Sequence, residues 1–119
     1  MNPNRLDSEP ELLEKVRQVI QALIDRNAAW LKARMLEVPE NVVTPEHLFW
    51  ELEQYGKTYL PIPETDLNAV EIWTSGDGVL FTAIDLYSLE EGWTDLTLEL
   101  QFHRINGQLE PRVKYVHIL

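Results

Sequence analysis

The sequence predicts an α+β domain in which N-terminal helices pack on one face of a four-stranded antiparallel meander sheet. Three observations indicate this fold class. Apolar residues recur at helical spacing in the first half of the chain. After Gly56 the apolar period changes from about 3.6 to about 2 residues, which is typical of strands. Helical segments therefore come first and strands follow, the order expected when helices cover one face of an antiparallel sheet.

The length and composition of the chain bound its class. A chain of 119 residues fits a single domain, residues 1–119, and can bury a core without disulfides or metals. Because cysteine is absent, disulfides, cysteine-ligated metal sites and thiol catalysis are excluded, and a reducing cytoplasm suits the chain. No apolar run approaches the ~20 residues of a membrane-spanning helix, and the N-terminus lacks the apolar segment of a signal peptide.

The charge balance is strongly acidic. Asp and Glu number 20 and Lys and Arg number 10, which gives a net charge of −10. Such a field repels nucleic-acid phosphates and anionic membranes, so we expect no nucleic acid and no membrane as partner. It suits a basic protein partner, although solubility alone also explains an excess of carboxylates.

Two helical segments are predicted, over about residues 8–36 and 45–55. In the first, Ser8 begins a capping box, and a kink or a break is expected at Asn27. The second is expected to start at a Thr44 cap and to end at Gly56. The first segment carries a broad apolar stripe, which consists of Leu12, Leu13, Val16, Val19, Ile20, Leu23 and Ile24.

Four strands follow, over about residues 69–74, 78–87, 93–105 and 108–119. The preceding segment "KTYLPIPETD" is interrupted by prolines, so it is at most an edge strand. The segment "SGDG" predicts one tight turn. Asn106-Gly107 is the strongest short hairpin signal that a sequence offers.

The Asn106-Gly107 turn predicts the register of the last hairpin. If the turn has two residues, those equally distant from it face each other. One face is then apolar and the other carries polar or oppositely charged pairs, which cross-strand energetics favour. The first face pairs Leu96 with His117, Leu98 with Tyr115, Leu100 with Val113 and Phe102 with Pro111; the second pairs Glu99 with Lys114, Gln101 with Arg112 and His103 with Glu110.

The hairpin through "SLEEG" leaves two registers open. A four-residue loop, 89–92, places Asp85, Leu96 and His117 in one row on the helix-covered face. Asp85 and His117 could then do acid–base work, because histidine titrates near neutrality and a carboxylate can orient it. A loop one residue longer or shorter turns Asp85 outward. The residues that then point inward are Leu80, Thr82, Ile84 and Leu86.

Three residues at this turn, Glu90, Glu91 and Trp93, are the candidate binding residues. The two carboxylates could bind a cation or a basic partner, or could be solvated turn side chains. We expect no metal site and no cofactor, because the three histidines lack metal-binding spacing and glycine-rich phosphate loops are absent. No third residue completes a nucleophile arrangement with Asp85 and His117, so no reaction class follows.

The tryptophans and the last strand give two further expectations. Trp30 and Trp73 are expected in the core between the helices and the sheet. In the register above, Val116 and Ile118 lie with Thr97 on the sheet face away from the helices. This strip is partly apolar, so we expect it to form a homodimer surface unless a helix covers it.

Three segments together resemble a family of small, uncharacterised bacterial domains of unknown function. They are "EQYGKTYLPIP", "IDLYSLEEGWTDLTLEL" and the terminal "VKYVHIL", within residues 44–119. The family pattern has Tyr-Gly-Arg-Thr and two prolines before a strand that reads Leu-Trp-Thr, and then Glu-Glu-Gly, Ser-Asp-Leu-Thr-Leu and His-Val-Leu. This chain has Tyr87-Ser88 in place of Trp-Thr and Thr94 in place of Ser. The resemblance implies no activity and assigns no functional residue.

Helices before a meander are also similar to the cone-shaped fold of the nuclear-transport-factor-like and cystatin-like groups. That fold hosts enzymes, ligand binders and interaction modules, so it says little about function. The leading interpretation is a non-enzymatic, acidic protein-interaction module of the inhibitor or immunity type. The alternative is a small-ligand-binding or enzymatic cone-fold domain with a pocket near Asp85 and His117.

Overall fold

The computed structural model describes residues 10–37, 43–63, 70–74 and 78–118. Ser8 and the first three residues of the "SGDG" turn lie outside these ranges. The α+β fold class with an antiparallel sheet is confirmed. The helices are α1 (Pro10–Ile24), α2 (Ala28–Lys32) and α3 (Pro45–Tyr55), and the strands are β1 (Tyr59–Leu60), β2 (Val70–Thr74), β3 (Leu80–Ser88), β4 (Gly92–Ile105) and β5 (Gln108–Ile118).

Local capping explains where the helices begin and end. The break at Asn27 is confirmed, because its side chain accepts a hydrogen bond from the Trp30 N–H at 3.2 Å and caps α2. The Thr44 hydroxyl likewise accepts from the His47 N–H at 3.3 Å at the start of α3. Gly56 ends α3 with φ of 75°. The sequence predicted both of these α3 caps.

The core lies between α1, α3 and one face of the sheet, called the inner face below. The apolar stripe of α1 is buried there, with Leu13 and Ile24 at its half-buried margins. Strand β4 supplies the opposite wall, and its four large inner side chains are at most 2% exposed. These side chains are Leu96, Leu98, Leu100 and Phe102.

The sheet has the order β1-β3-β4-β5, and β2 also pairs with β3. Both β1 and β2 pair with the β3 edge that β4 leaves free: β2 lies opposite Leu80–Ile84 and β1 opposite Tyr87 and Ser88. The proline-interrupted segment thus forms a two-residue edge strand, as the sequence predicted.

The expected core position of Trp73 is wrong. In β2 it is Ile72, 8% exposed, that points to the inner face, so its neighbour Trp73 points to the opposite, outer face. Trp73 is 45% exposed and stacks on Phe81 with ring centroids 5.6 Å apart. Trp30 is partly buried against the core.

The predicted register of the last hairpin holds from the turn to the pair Leu100–Val113. Asn106 and Gly107 have φ of 52° and 79°, the left-handed conformations that a two-residue turn requires. Beyond Val113 the register shifts by one residue, because Lys114 is the extra residue of a β-bulge. The pairs past the bulge are Glu99–Tyr115, Leu98–Val116, Thr97–His117 and Leu96–Ile118.

This bulge overturns the predicted outer strip of the last strand. One extra residue moves every following side chain to the other face. Val116 therefore turns inward and is 2% exposed, while Ile118 pairs with Leu96 and is 60% exposed. Only Thr97 of the predicted strip stays on the outer face, where it is 2% exposed. The predicted pairs of Leu96, Leu98 and Glu99 are wrong for the same reason.

The β3–β4 hairpin takes the register in which Asp85 points outward. Its loop has the three residues Leu89–Glu91, and Gly92 follows with φ of 73°. A register shift between Asp85 and Tyr87 then brings Asp85 opposite Thr97 rather than Leu96. The even-numbered residues Thr82, Ile84 and Leu86 are buried on the inner face, as that alternative predicts.

Candidate functional site

Asp85 and His117 lie in one row across three strands, but not the row first predicted. Thr97 pairs with Asp85 on one side and with His117 on the other, and the row runs along the outer face. The Thr97 hydroxyl donates to Asp85 at 2.9 Å. Thr97 thus separates the two candidate acid–base residues, and the predicted row through Leu96 on the helix-covered face is wrong.

The carboxylate that reaches His117 is Glu99. The His117 Nε2 lies 2.5 Å from the Glu99 Oε2, and both side chains are largely shielded, at 28% and 18% exposure. The Tyr115 hydroxyl also donates to Glu99, which raises the pKa of that hydroxyl. The Tyr115 and His117 rings lie 4.2 Å apart. Glu99 therefore orients an imidazole and a phenol together, the kind of arrangement in which a carboxylate fixes a histidine tautomer.

The sequence predicted Lys114 as the cross-strand partner of Glu99. The cluster of Glu99, His117 and Tyr115 was therefore missed. The signal for the bulge is present in the chain. Apolar residues recur every second position at Leu109, Pro111 and Val113, and the next inward residue, Val116, comes three positions later. A slip from a spacing of two to a spacing of three marks an inserted residue in a strand.

A cleft of about 460 Å³ lies between α3 and β5, the end strand of the sheet. One flank of α3 contributes His47 and Glu51 to its walls, and the strand contributes Lys114 and His117. The bulge is what turns Lys114 away from Glu99. The remaining lining residues are Val43, Leu48, Tyr115 and Val116.

The candidate carboxylates of the β3–β4 turn have partners within the chain. Glu90 accepts from the Thr58 N–H and from its hydroxyl, both at 2.8 Å, and these bonds lower the pKa of Glu90. Glu91 accepts from the Tyr55 hydroxyl, and this bond raises the pKa of Tyr55. The Tyr55 oxygen in turn accepts from the Asp95 N–H at 3.0 Å. The turn is thereby tied to the C-terminal end of α3.

Trp93, the third candidate at the turn, is half-buried and packs edge-on against Tyr87 at 5.2 Å. An exposed aromatic residue lies on α3, and the sequence did not single it out. Trp50 is 56% exposed on α3, on the side opposite the buried Leu48 and Leu52. That outward position could have been found from the helical spacing, because a residue halfway between two core residues of a helix points to solvent.

We group Trp50 with the exposed residues of two elements that are hydrogen-bonded to each other, called the α3–turn surface below. It combines the outer side of α3 with the tip of the turn that is bonded to it. Two large apolar side chains, Trp50 and Leu89, are 56% and 69% exposed there. The other members are carboxylates and are all exposed: Glu46, Glu53, Glu90 and Glu91.

Across residues 10–37, 43–63, 70–74 and 78–118, no group of three or more His, Asp or Glu side chains is placed to hold a metal ion. In the same ranges, no helix has the length and apolar character needed to cross a membrane.

The comparisons with known proteins give one match. Residues 13–119 match the model of a family described as Domain of unknown function (DUF7668). No curated protein and no solved structure matches the chain.

Proposed function

We propose that this chain, which belongs to the DUF7668 family, is a non-enzymatic protein-interaction module that binds a basic partner in the cytoplasm and inhibits or neutralises it. The observation that carries the proposal is Trp50, 56% exposed and flanked on its own helix by Glu46 and Glu53. Tryptophan is enriched among the few residues that carry most of an interface's binding energy.

Charge supports the same partner class. The net charge of −10 attracts basic proteins over a distance of about 8–10 Å at physiological salt. The α3–turn surface adds four exposed carboxylates and two exposed apolar side chains. Complementary charge mainly accelerates association, and a desolvated aromatic anchor mainly slows dissociation.

The internal bonds of Glu90 and Glu91 support recognition by a preorganised surface. Thr58 holds the Glu90 carboxylate in place, and Tyr55 holds the Glu91 carboxylate in place. A surface whose side chains are already ordered loses less conformational entropy on binding. In this proposal the carboxylates of Glu90 and Glu91 attract the basic partner. The side chain that inserts into the partner is Trp50, not the half-buried Trp93.

The test begins with a partner captured on the immobilised chain, identified by mass spectrometry and purified. We expect a basic protein whose affinity falls as NaCl is raised. Trp50→Ala is expected to weaken binding by about 30-fold, because removal of an interface anchor costs about 2 kcal/mol or more. Titration calorimetry at several salt concentrations measures both effects.

Trp73→Ala is the matched control, because Trp73 is also an exposed tryptophan but lies on the outer sheet face. Its affinity for the partner should equal that of the wild type. An affinity that ignores salt, an equal loss in the Trp50 and Trp73 variants, or no captured partner would each contradict the proposal.

Self-association through the outer sheet face also belongs to this proposal. The residues that support it differ from the strip that the sequence predicted. They are the stacked pair Trp73–Phe81 and Ile105, which is 43% exposed. Exposed apolar groups on a sheet face favour pairing with a second copy.

A further inference from the structure

We propose that the cleft between α3 and β5 binds a small zwitterion, an amino acid with an apolar side chain, with Lys114 contacting its carboxylate and Glu51 its ammonium group. None of the residues that line this cleft belongs to the α3–turn surface, which carries Trp50 on the solvent-facing side of the helix. The proposal does not depend on the proposed protein partner.

The β-bulge provides the cationic wall of the cleft. In an uninterrupted hairpin Lys114 would lie opposite Glu99, and the two would form a cross-strand ion pair. In the bulged strand Glu99 instead contacts His117 and Tyr115, and Lys114 faces the cleft. Bulges are over-represented next to functional sites because they re-aim a side chain in this way. The Lys114 ammonium lies 5.1 Å from the centroid of the Tyr115 ring.

The two walls carry opposite charges that do not meet. Glu51 comes from α3 and Lys114 from β5, and both are half-buried. Among the described residues, the ion pairs within 4.0 Å are Arg104–Glu11 and His117–Glu99, so neither wall charge is neutralised by a neighbour in that part of the chain. A ligand with one anionic and one cationic group could pair with both.

The rest of the lining suits the body of such a ligand. Val43, Leu48 and Val116 supply apolar surface, and the cleft of about 460 Å³ is within the ~300–1,000 Å³ of small-molecule sites. Glu99 holds the imidazole of His117, so that wall is ordered before binding. His47 lies one helical turn before Glu51 and offers a further polar contact.

The experiment titrates the full chain, labelled with ¹⁵N, with L-leucine, N-acetyl-L-leucine and L-leucinamide. N-acetyl-L-leucine keeps only the anionic group and L-leucinamide only the cationic one. We expect leucine to shift the amide signals of residues 47–51 and 114–117, with an affinity about tenfold above that of either half-ligand.

Two variants separate the walls. Lys114→Met is expected to abolish N-acetyl-L-leucine binding and to leave L-leucinamide binding intact, and Glu51→Gln is expected to do the reverse. The matched controls are Lys32→Met and Glu14→Gln, which remove exposed charges of α2 and α1 outside the cleft. Well-dispersed spectra verify that each variant is folded.

Three results would overturn the proposal: no shift with millimolar leucine, equal binding of leucine and N-acetyl-L-leucine, or binding that the two cleft variants leave unchanged. Equal binding of N-acetyl-L-leucine would mean that Glu51 contributes nothing and that the cleft selects a simple anion. None of these results bears on how the affinity for the protein partner depends on salt.

Discussion

Two tyrosines hold the C-terminal end of α3 against the rest of the fold. Tyr59 donates to the backbone carbonyl of Leu52 at 2.6 Å, and the same carbonyl accepts from the Gly56 N–H at 3.1 Å. Burial raises the pKa of Tyr59 to about 12. Tyr55 bridges Glu91 and the Asp95 N–H. Single hydroxyl groups therefore fix the position of the helix that carries the proposed binding residues.

The raised pKa of Tyr59 predicts a loss of stability in alkali. A folded-state pKa above the ordinary 10.0 means that the neutral phenol stabilises the fold below about pH 10. That contribution disappears as the pH rises towards 12, where the folded group ionises. Tyr59→Phe is expected to lower the free energy of unfolding at pH 7 by about 1 kcal/mol and to flatten this alkaline decline. Urea denaturation followed by circular dichroism across the pH range measures both.

Tyr87→Phe is the control for this prediction, because the Tyr87 hydroxyl makes no hydrogen bond within the described residues. A Tyr59→Phe variant that declines in alkali as steeply as the wild type would show that other groups cause the loss.

At the scale of the element, the β-bulge determines which side chains of β5 face the core and which face the surface. One inserted residue, Lys114, exchanges the partners of Glu99, buries Val116 and removes the predicted outer strip. The strand keeps its core contacts because Val113 before the insertion and Val116 after it both point inward. The bulge thus directs polar side chains while the hydrophobic face of β5 stays continuous.

Deletion of Lys114 tests this interpretation of the bulge. Because Glu99 already lies opposite Tyr115, the deletion should produce an uninterrupted ladder with the same inner-face residues. We expect a change in unfolding free energy within about 1 kcal/mol, with the contact between Glu99 and His117 retained. Thermal denaturation and the NMR signals of the His117 ring are the measurements.

Deletion of Arg112 is the contrasting control. It turns Val113 outward and Lys114 inward, so it should cost at least about 2 kcal/mol through a lost core contact and a buried charge. Equal costs for the two deletions would mean that the bulge is needed for stability.

The elements that follow from short-range chemistry were predictable. The caps at Thr44 and Gly56 and the turn at Asn106-Gly107 depend on a few adjacent residues, and the structure has them as predicted. The register beyond Val113 was not predictable, because the position of a bulge depends on how side chains pack against the neighbouring strand and α3. The carboxylate partner of His117 was therefore misassigned, although His117 itself was singled out.

At the scale of the whole molecule, Trp50 and Trp73 are exposed on different faces. Trp50 lies with four carboxylates on the α3–turn surface, and the stacked Trp73–Phe81 pair lies on the outer sheet face. Pairing of two copies brings together two bodies of net charge −10. Salt screens that repulsion, so it should strengthen self-association while it weakens binding of a basic partner.

This opposite salt dependence can be measured by analytical ultracentrifugation. We expect a monomer–dimer equilibrium that shifts towards dimer as NaCl is raised, and Trp73→Glu should raise the dissociation constant at least about tenfold. Trp50→Ala should leave the equilibrium unchanged. A chain that stays monomeric at every salt and protein concentration would contradict self-association through this face.

The placement of α3 has a thermodynamic consequence. One flank of this helix faces the cleft beside Lys114, its solvent-facing side carries Trp50, and Tyr55 fastens its end to the β3–β4 turn. Occupants of the two sites would therefore act on one rigid body. By linkage, any factor by which a cleft ligand changes the affinity for the protein partner is the factor by which that partner changes the affinity for the ligand. A single helix would make such a module responsive to a metabolite and, reciprocally, make its retention of that metabolite depend on the partner.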